Sequence, residues 1–533
     1  MVRTINLEKR FVVQSRILLP GRCVYAVFVD FKRAFDSIQH PLLWFKLFSL
    51  GVSGRIIRVM QSLYSHATFQ VRIRGQLLES IDLTEGVLQG ETLSPLLFAL
   101  FLADVEDYFR ANNCSGLDVD GRRDALLLLY ADDMVILGDS IVDINRKLGV
   151  LQSYCSLNKL VVNTAKTKLV CFRRAGSLKK LALKAFYEGR EIEQVKSYSY
   201  LGIPFSSSAV FANAKDNFLS RANAASAATT SILVRAHIES WSARKLLFDS
   251  VVRSVCLYAS SVWGLRYADE MERVQVGYYK RILVLPRGTP SSFVRLEAGV
   301  APLFHHIVSD GLKWLVKVLS MQHDRLPYAC MARLISLSAL PSCDVRYNWF
   351  RQLATCLARL EFRFSAHTDA IVRSESGTFL SASLMKLYRL DLERIQSSPF
   401  SNFYPAIIVG NSFNPQPYLL VVQPLVSLRP FAQLRSLGAH GARILVAGSV
   451  IRFGSSCCPL CNLGSPDSPL HLLLCCPMLA TARLKFLAPL LPTPLSFEEQ
   501  FRRILLMTER AYINRIYFFL CEVADIRDLI LDC

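Results

Sequence analysis

Three carboxylates stand where chemistry is a natural reason for their presence. Asp30 ends the run CVYAVFVDF (Cys23–Phe31), a nearly continuous apolar stretch of the kind shown by a strand buried on both faces. Asp132 and Asp133, after Ala131, split two short apolar runs, Ala125–Tyr130 and Met134–Leu137, a pattern that predicts a hairpin with the acids at its turn. A carboxylate closing a buried strand is costly unless it reaches solvent or binds something. Adjacent carboxylates repel, and a divalent cation is the natural way to hold them together. Three acids on neighbouring strand ends fit a two-metal phosphoryl-transfer site. Taken alone, Asp-Asp in a turn is also ordinary turn chemistry, so the pair draws its meaning from the segments around it.

A second group is built from sulfur. Cys458 and Cys461 are followed after nine residues by His471 and after four more by Cys476. Two close thiolates, an imidazole and a third thiolate suit tetrahedral structural Zn²⁺. Cys457 and Cys475 are alternative ligands. A disulfide reading leaves His471 without a purpose. The remaining ten of the fifteen cysteines are mostly single residues in apolar segments, such as Cys23, Cys155, Cys171 and Cys256, the usage of reduced core thiols.

The elements that must position these groups follow from pattern. At 533 residues the chain exceeds one core, so two or more domains are expected. A hydrophobic fraction of 52% with 20% charged residues excludes a largely disordered chain. The formal net charge of +19 points to phosphate or other acidic partners. The apolar runs, such as Pro95–Ala103, stop well short of the roughly 18–20 residues a membrane span needs, and MVRTINLEKRF lacks the apolar core of a signal peptide. A helix is expected from Pro41, and a strand over Thr68–Arg74 with Gly75 at its turn. Leu93–Phe109 reads as one helix, with Ser94 as N-cap and Pro95 first inside it. A further helix near Ile141–Leu157 and a strand near Leu169–Phe172 complete a ferredoxin-like α+β layer. Helical spacing returns at Asp216–Arg235 and Ser242–Tyr258. Arg394–Pro466 has no carboxylate but holds Arg429, Arg435, Arg443 and Arg452, and reads as a linker or a lightly structured basic surface.

FVDFKRAFDSIQHPLL (Phe28–Leu43), GVLQGETLSPLLFALFL (Gly86–Leu102), LLYADDMVIL (Leu128–Leu137), LVVNTAKTKLVCF (Leu160–Phe172) and YSYLGIPF (Tyr198–Phe205) occur in that order. Together they resemble motifs A to E of reverse transcriptases, most closely those of non-LTR (LINE-type) retrotransposons. YASSVWG (Tyr258–Gly264) and LPRGTP (Leu285–Pro290) are similar to the helical segment that follows the polymerase in these elements.

The resemblance implies an RNA-directed DNA polymerase that extends a DNA primer on an RNA template, using dNTPs and two Mg²⁺ ions, with Mn²⁺ as a substitute. It implies a right-hand fold: an α+β palm, a helical thumb, a mixed helical and irregular region and a zinc knuckle. The corresponding segments are residues 1–205 (palm with a remnant of the fingers), 206–330 (thumb and post-polymerase region), 331–450 (helices, then a basic Pro/Ser-containing connection), 451–480 (CCHC-type knuckle) and 481–533 (C-terminal helices). Asp30 and Asp132 match the principal metal ligands, Asp133 the second acid of the turn, and the Phe31 carbonyl the backbone ligand beside them. Phe35 matches the ring that excludes a ribose 2′-OH, although a core aromatic would also suit its context. Gln89 and Gly90 match the motif B turn beside the incoming nucleotide, and Glu91 departs from the small or polar residue usual there. Lys166 or Lys168 falls where a lysine protonates pyrophosphate. Leu201 and Gly202 match the primer grip. The spacing from His471 to Cys476 matches the family's knuckle, with Cys458 and Cys461 completing a Zn²⁺ set that contacts RNA or target DNA. Only about thirty residues precede Asp30; Asn6–Leu19 reads as the last fingers helix, and Arg16 and Arg22 form no recognisable triphosphate clamp. With no endonuclease domain evident, the chain reads as a truncated element, for which an inactive nucleic-acid-binding remnant is the alternative. A cytoplasmic or nuclear protein is expected, neither secreted nor membrane-embedded.

Overall fold

The computed structural model describes residues 12–13, 23–88, 90–91, 93–174, 184–208, 210–362, 369–398, 403–437, 443–454, 457–461, 463–490 and 495–531. The expected helix over Asn6–Leu19 lies almost wholly outside them, as do Arg16, Arg22 and Gln89. By internal contacts the chain forms two compact units, Met1–Ala214 with Leu315–Ala354, and Lys215–Trp314 with Thr355–Cys533. Among the described residues no single helix is long and apolar enough to cross a membrane; one bent pair, Trp241–Cys256 with Ser260–Arg266, passes on length and composition.

The first unit is built on a four-stranded antiparallel sheet. Its strands are β1 (Cys23–Val29), β2 (Leu127–Tyr130), β3 (Asp133–Gly138) and β4 (Lys168–Arg173), in the order β4-β1-β3-β2. With helices between β1 and β2 and between β3 and β4, this is the βαββαβ order of a ferredoxin-like layer. β1 is central because it is apolar on both faces. Val27 and Val29 face helices, packing in one core with Leu97, Phe98, Ile144, Leu148 and Leu151. Residues of opposite parity on a strand point the other way, and there Phe28 stacks on Tyr198 with ring centroids 4.5 Å apart.

The helices are α1 (His40–Ser49), α2 (Gly54–Ser65), α3 (Ser94–Phe101), α4 (Val105–Ala111) and α5 (Ile141–Asn158). Pro41 opens α1 and Ser140 caps α5, its Oγ accepting the Asp143 N–H at 3.2 Å. The single helix expected over Leu93–Phe109 is two, α3 and α4, and Ser94 is the first helical residue rather than the cap. The break has an electrostatic cause. Lys46 Nζ, on α1, donates at 2.8 Å to the Phe101 carbonyl, to Asp104 Oδ1 and to Tyr154 Oη. A cation thus takes over a carbonyl in the last turn of α3, where the helix dipole favours it. The strand expected over Thr68–Arg74 is only two two-residue pieces, Thr68–Phe69 and Arg72–Ile73. A hairpin of β5 (Ser197–Tyr200) and β6 (Ile203–Ser206) follows.

In the second unit α6 (Ala212–Arg235, entered from the first), α7 (Trp241–Leu247), α8 (Ala268–Leu283) and α9 (Ser291–Ala298) precede α10 (Leu425–Arg435) and a hairpin of β7 (Arg443–Val446) and β8 (Ser449–Arg452). α11 (Arg510–Leu531) ends the described chain. The helix expected over Ser242–Tyr258 passes through a wider π turn at Phe248–Arg253. The described residues of Arg394–Pro466 are packed into the second unit rather than forming a linker. Arg435 is buried against Glu297, Nε to Oε1 2.7 Å, and Arg429 Nε donates to the Ile282 carbonyl at 2.9 Å. Glu297 is fully buried, and a buried carboxylate requires a partner of this kind. Arg435, one of the arginines that suggested a basic surface, therefore holds the interior, while Arg429 is half-buried.

Candidate active site and metal centre

Asp30 follows β1 directly and is half-buried. Alternation puts it on the Phe28 face of the sheet. β1 pairs with β3 so that Val29 opposes Met134, which brings the end of β1 beside Asp133. β2 and β3 close with Tyr130 opposite Asp133, leaving Ala131 and Asp132 as a two-residue turn. Ala131 carries the turn at φ +49°, a left-handed conformation uncommon outside glycine and frequent at functional sites. Asp132 is exposed and Asp133 half-buried. The three acids thus come together at one end of the sheet, from segments a hundred residues apart in sequence.

The segment over Leu160–Phe172 fixes the first of them. Thr167, fully buried, accepts the Asp30 N–H on Oγ1 at 3.2 Å, and the Asp30 carbonyl accepts the Asn163 N–H at 2.7 Å. Phe31 is buried and bridges Val162. On the open face Tyr198 and Tyr200 of β5 lie against Phe28 and under the acids. Burial raises both phenols above their ordinary range; Asp133 and Asp30 add to the effect at Tyr198, and Asp133 and Asp132 at Tyr200. Among the described residues neither Asp30 nor Asp132 forms an ion pair with a basic side chain. Carboxylate oxygens without cationic partners are the donor set that hard divalent ions take. The three do not draw in as closely as the sulfur group described below, which is the only set of three or more candidate ligands among the described residues with all its atoms within 4.8 Å.

Phe35 sits in the turn after Asp30, half-buried, with its ring 5.0 Å from that of fully buried Phe98 on α3. The motif B turn is tied to the same loop: Val87 N–H donates to the Phe35 carbonyl and Gly86 N–H to that of Ile38, both at 2.8 Å. Gly86 has φ +85°, and a Cβ there would meet Asp36 Cα at 2.8 Å. Gly90, at φ +98°, has open space around it, and Glu91 is exposed. Lys168 on β4 pairs with Glu193 at 2.5 Å, whereas Lys166 is exposed in the preceding turn. Leu201 and Gly202 form the β5–β6 turn with φ of +47° and +76°, the pair of positive values a type I′ hairpin demands.

Cys458, Cys461, His471 and Cys476 converge. Cys458 Sγ lies 4.0 Å from Cys476 Sγ, and Cys461 Sγ 3.4 Å from His471 Nε2. Ideal tetrahedral zinc bonding places such pairs about 3.6–3.8 Å apart. Cys457 is exposed and Cys475 half-buried, and neither joins the group. The backbone is prepared for it: Cys458 N–H donates to the Ser465 carbonyl at 2.7 Å, and Cys476 N–H to that of His471 at 2.8 Å. Arg483 binds the carbonyls of Leu473 and Cys476 at 2.9 and 2.7 Å.

Sequence reasoning passed over Thr167, Tyr198 and Tyr200. The alternating tyrosines of YSY were the available signal, since spacing of two places both on one face.

Residues 6–205 match the family model described as reverse transcriptase (RNA-dependent DNA polymerase). Over 258 residues the chain is 27% identical to a probable RNA-directed DNA polymerase from transposon BS of Drosophila melanogaster, covering 47% of this chain and 28% of that protein. Over 197 residues it is 24% identical to a Pol polyprotein from the type-1 retrotransposable element R2 of Popillia japonica, covering 36% and 32%. Among solved structures, telomerase from Candida albicans with a fragment of telomeric RNA aligns at a TM-score of 0.30 and 15% identity, over 64% of this chain and 53% of that one. The chain spans roughly a quarter to a third of the length of these curated relatives.

Proposed function

With residues 6–205 a reverse transcriptase domain similar to those of non-LTR retrotransposons, we propose that the chain is an RNA-directed DNA polymerase that adds dNTPs to a primer 3′-OH on an RNA template. The observation that carries the proposal is the meeting of Asp30, Asp132 and Asp133 at one sheet end, the first two without a basic partner among the described residues. Asp30, Asp132 and Asp133, with the Phe31 carbonyl, would hold the divalent ions. Two Mg²⁺ ions, or Mn²⁺ in their place, supply activation of the primer hydroxyl and stabilisation of the leaving oxygen.

The remaining roles fall to the chain itself. Phe35, backed by Phe98, forms the wall that a ribose 2′-OH would strike. Gly90, with Gln89 before it, lets backbone approach the nucleotide. Lys166 is the proton donor to pyrophosphate, because Lys168 is engaged by Glu193. The Leu201–Gly202 turn holds the primer end, with Tyr198 and Tyr200 setting its height above the acids. Zn²⁺ held by Cys458, Cys461, His471 and Cys476 is structural, in a knuckle that contacts RNA or target DNA. The palm is the ferredoxin-like layer, the thumb begins with α6, and the protein acts in the cytoplasm or nucleus.

The test is primer extension by the full chain on an RNA template with Mg²⁺ and dNTPs. Templated incorporation is expected. Retention of RNA without incorporation would instead support a nucleic-acid-binding remnant and overturn the polymerase assignment. Metal content by mass spectrometry tests the knuckle: one zinc per chain is expected, falling to none in Cys461→Ser.

A further inference from the structure

A groove in the second unit is independent of the polymerase reading. Ala227, Thr230, Ser231 and Val234 lie on one face of α6, by their three- and four-residue spacing. With Arg235 and Arg281 they line a trough of about 470 Å³. Val234 is shared with an adjoining pocket of about 390 Å³, where Leu233, Ile238, Leu425 and Val426 supply aliphatic surface and Arg429 a charge. Val234 and Val426 are 52% and 53% exposed, a continuous run of branched apolar side chains that a solvated surface does not require.

Behind the lining residue Ile238 lies a buried positive charge that is not itself part of the lining. Arg244 is fully buried and donates from Nε and Nη2 to the Ile238 carbonyl at 2.9 and 2.7 Å, and from Nη2 to that of Gln423 at 3.1 Å. Its Nη1 and both amide atoms of buried Gln423 have no hydrogen-bond partner. Burial, then the nearby Arg429, push Arg244 down to about 10. Glu239 is the only acid among the residues lining either cavity. His237 is the one aromatic side chain in the lining, which includes no Phe, Tyr or Trp, the larger rings on which single-stranded nucleic acid stacks its bases.

We propose that this groove docks an acidic amphipathic helix of a protein partner, its apolar face on Val234, Leu425 and Val426 and its acidic flank beside Arg235, Arg281 and Arg429. This is helix-in-groove recognition, with anchors at three- and four-residue spacing giving affinity and the charges giving register.

Fluorescence anisotropy on the full chain tests it. The probe is a labelled model helix with leucines on one face and glutamates on its flanks, compared with a scrambled peptide of the same composition and a single-stranded RNA oligonucleotide. Saturable binding of the patterned peptide is expected, weakened about tenfold or more by Val426→Asp and by Arg235→Glu, whose thermal midpoints stay unchanged because both sites are exposed. Equal binding of patterned and scrambled peptides would overturn the proposal. So would peptide affinity insensitive to both substitutions, or RNA binding that Val426→Asp abolishes while the peptide does not bind.

Discussion

Gly86→Ala should unlock the junction between the Asp30 loop and the turn before α3. Glycine is required there for two separable reasons. Its φ of +85° costs an L-residue about 1–2 kcal/mol, and an added Cβ would sit 2.8 Å from Asp36 Cα and 2.9 Å from Asp36 O. Those neighbours are backbone atoms, so relief requires moving the loop. The movement strains the hydrogen bonds from Gly86 to Ile38 and from Val87 to Phe35, each contributing about 0.5–1.5 kcal/mol. The sum is about 2–5 kcal/mol. At mid-range this lowers the midpoint of a domain of this size by roughly 7–14 °C. Gly90→Ala, at φ +98° with nothing within 4 Å, should lose only the conformational part, about 1–2 kcal/mol. Gly86→Asn eases the φ cost but keeps the Cβ, and should stay close to Ala. Thermal unfolding gives the totals, and hydrogen exchange should show faster opening at residues 34–38 and 86–88. Equal losses in Gly86→Ala and Gly90→Ala, or rescue by Asn, would refute the steric argument.

Other consequences are open to direct measurement. Phe35→Val removes the ring backed by Phe98 and should raise ribonucleotide incorporation relative to dNTPs by about tenfold or more; unchanged discrimination would remove Phe35 from that role. Arg527 pairs with Asp467, both nearly fully buried, and also donates to the Arg452 carbonyl at 2.6 Å. Asp467→Ala alone should cost about 3–5 kcal/mol in urea unfolding, and adding Arg527→Met should recover part of it. Its side-chain bond from Arg123 holds the Asp120 carboxyl below its ordinary 3.8. A carboxyl depressed on folding stabilises above its unfolded pKa, and that contribution fades as pH falls through the lower folded value. Asp120→Asn should therefore be less stable than the parent at pH 7 and converge with it below 3.8; a midpoint difference that persists at low pH would contradict the pairing.

The sheet was legible because its signals are local. Unbroken apolarity marked β1, and an acid-bearing gap between two apolar runs marked the β2–β3 hairpin. The sulfur group was legible for the same reason, since C-x2-C with a following His and Cys is a pattern in sequence. What escaped depends on partners distant along the chain. The α3–α4 break is made by Lys46, some sixty residues away, on a stretch whose own periodicity is continuous. Arg435 looked like surface charge because its partner, Glu297, lies more than a hundred residues earlier. The return of residues 315–354 to the first unit is likewise a matter of packing, with no local signature. Thr167 was hidden for a simpler reason: a threonine bonded to one backbone N–H resembles any other in a strand-like run.

Single-nucleotide incorporation on an RNA template, comparing the parent chain with Asp132→Asn at matched RNA retention, tests the central claim most directly. Asparagine keeps the size and the turn but loses the charge that a divalent cation requires. Incorporation by the parent and a loss of about a hundredfold or more in the variant, with RNA bound equally by both, is the predicted result. Equal incorporation by the two proteins would contradict the account.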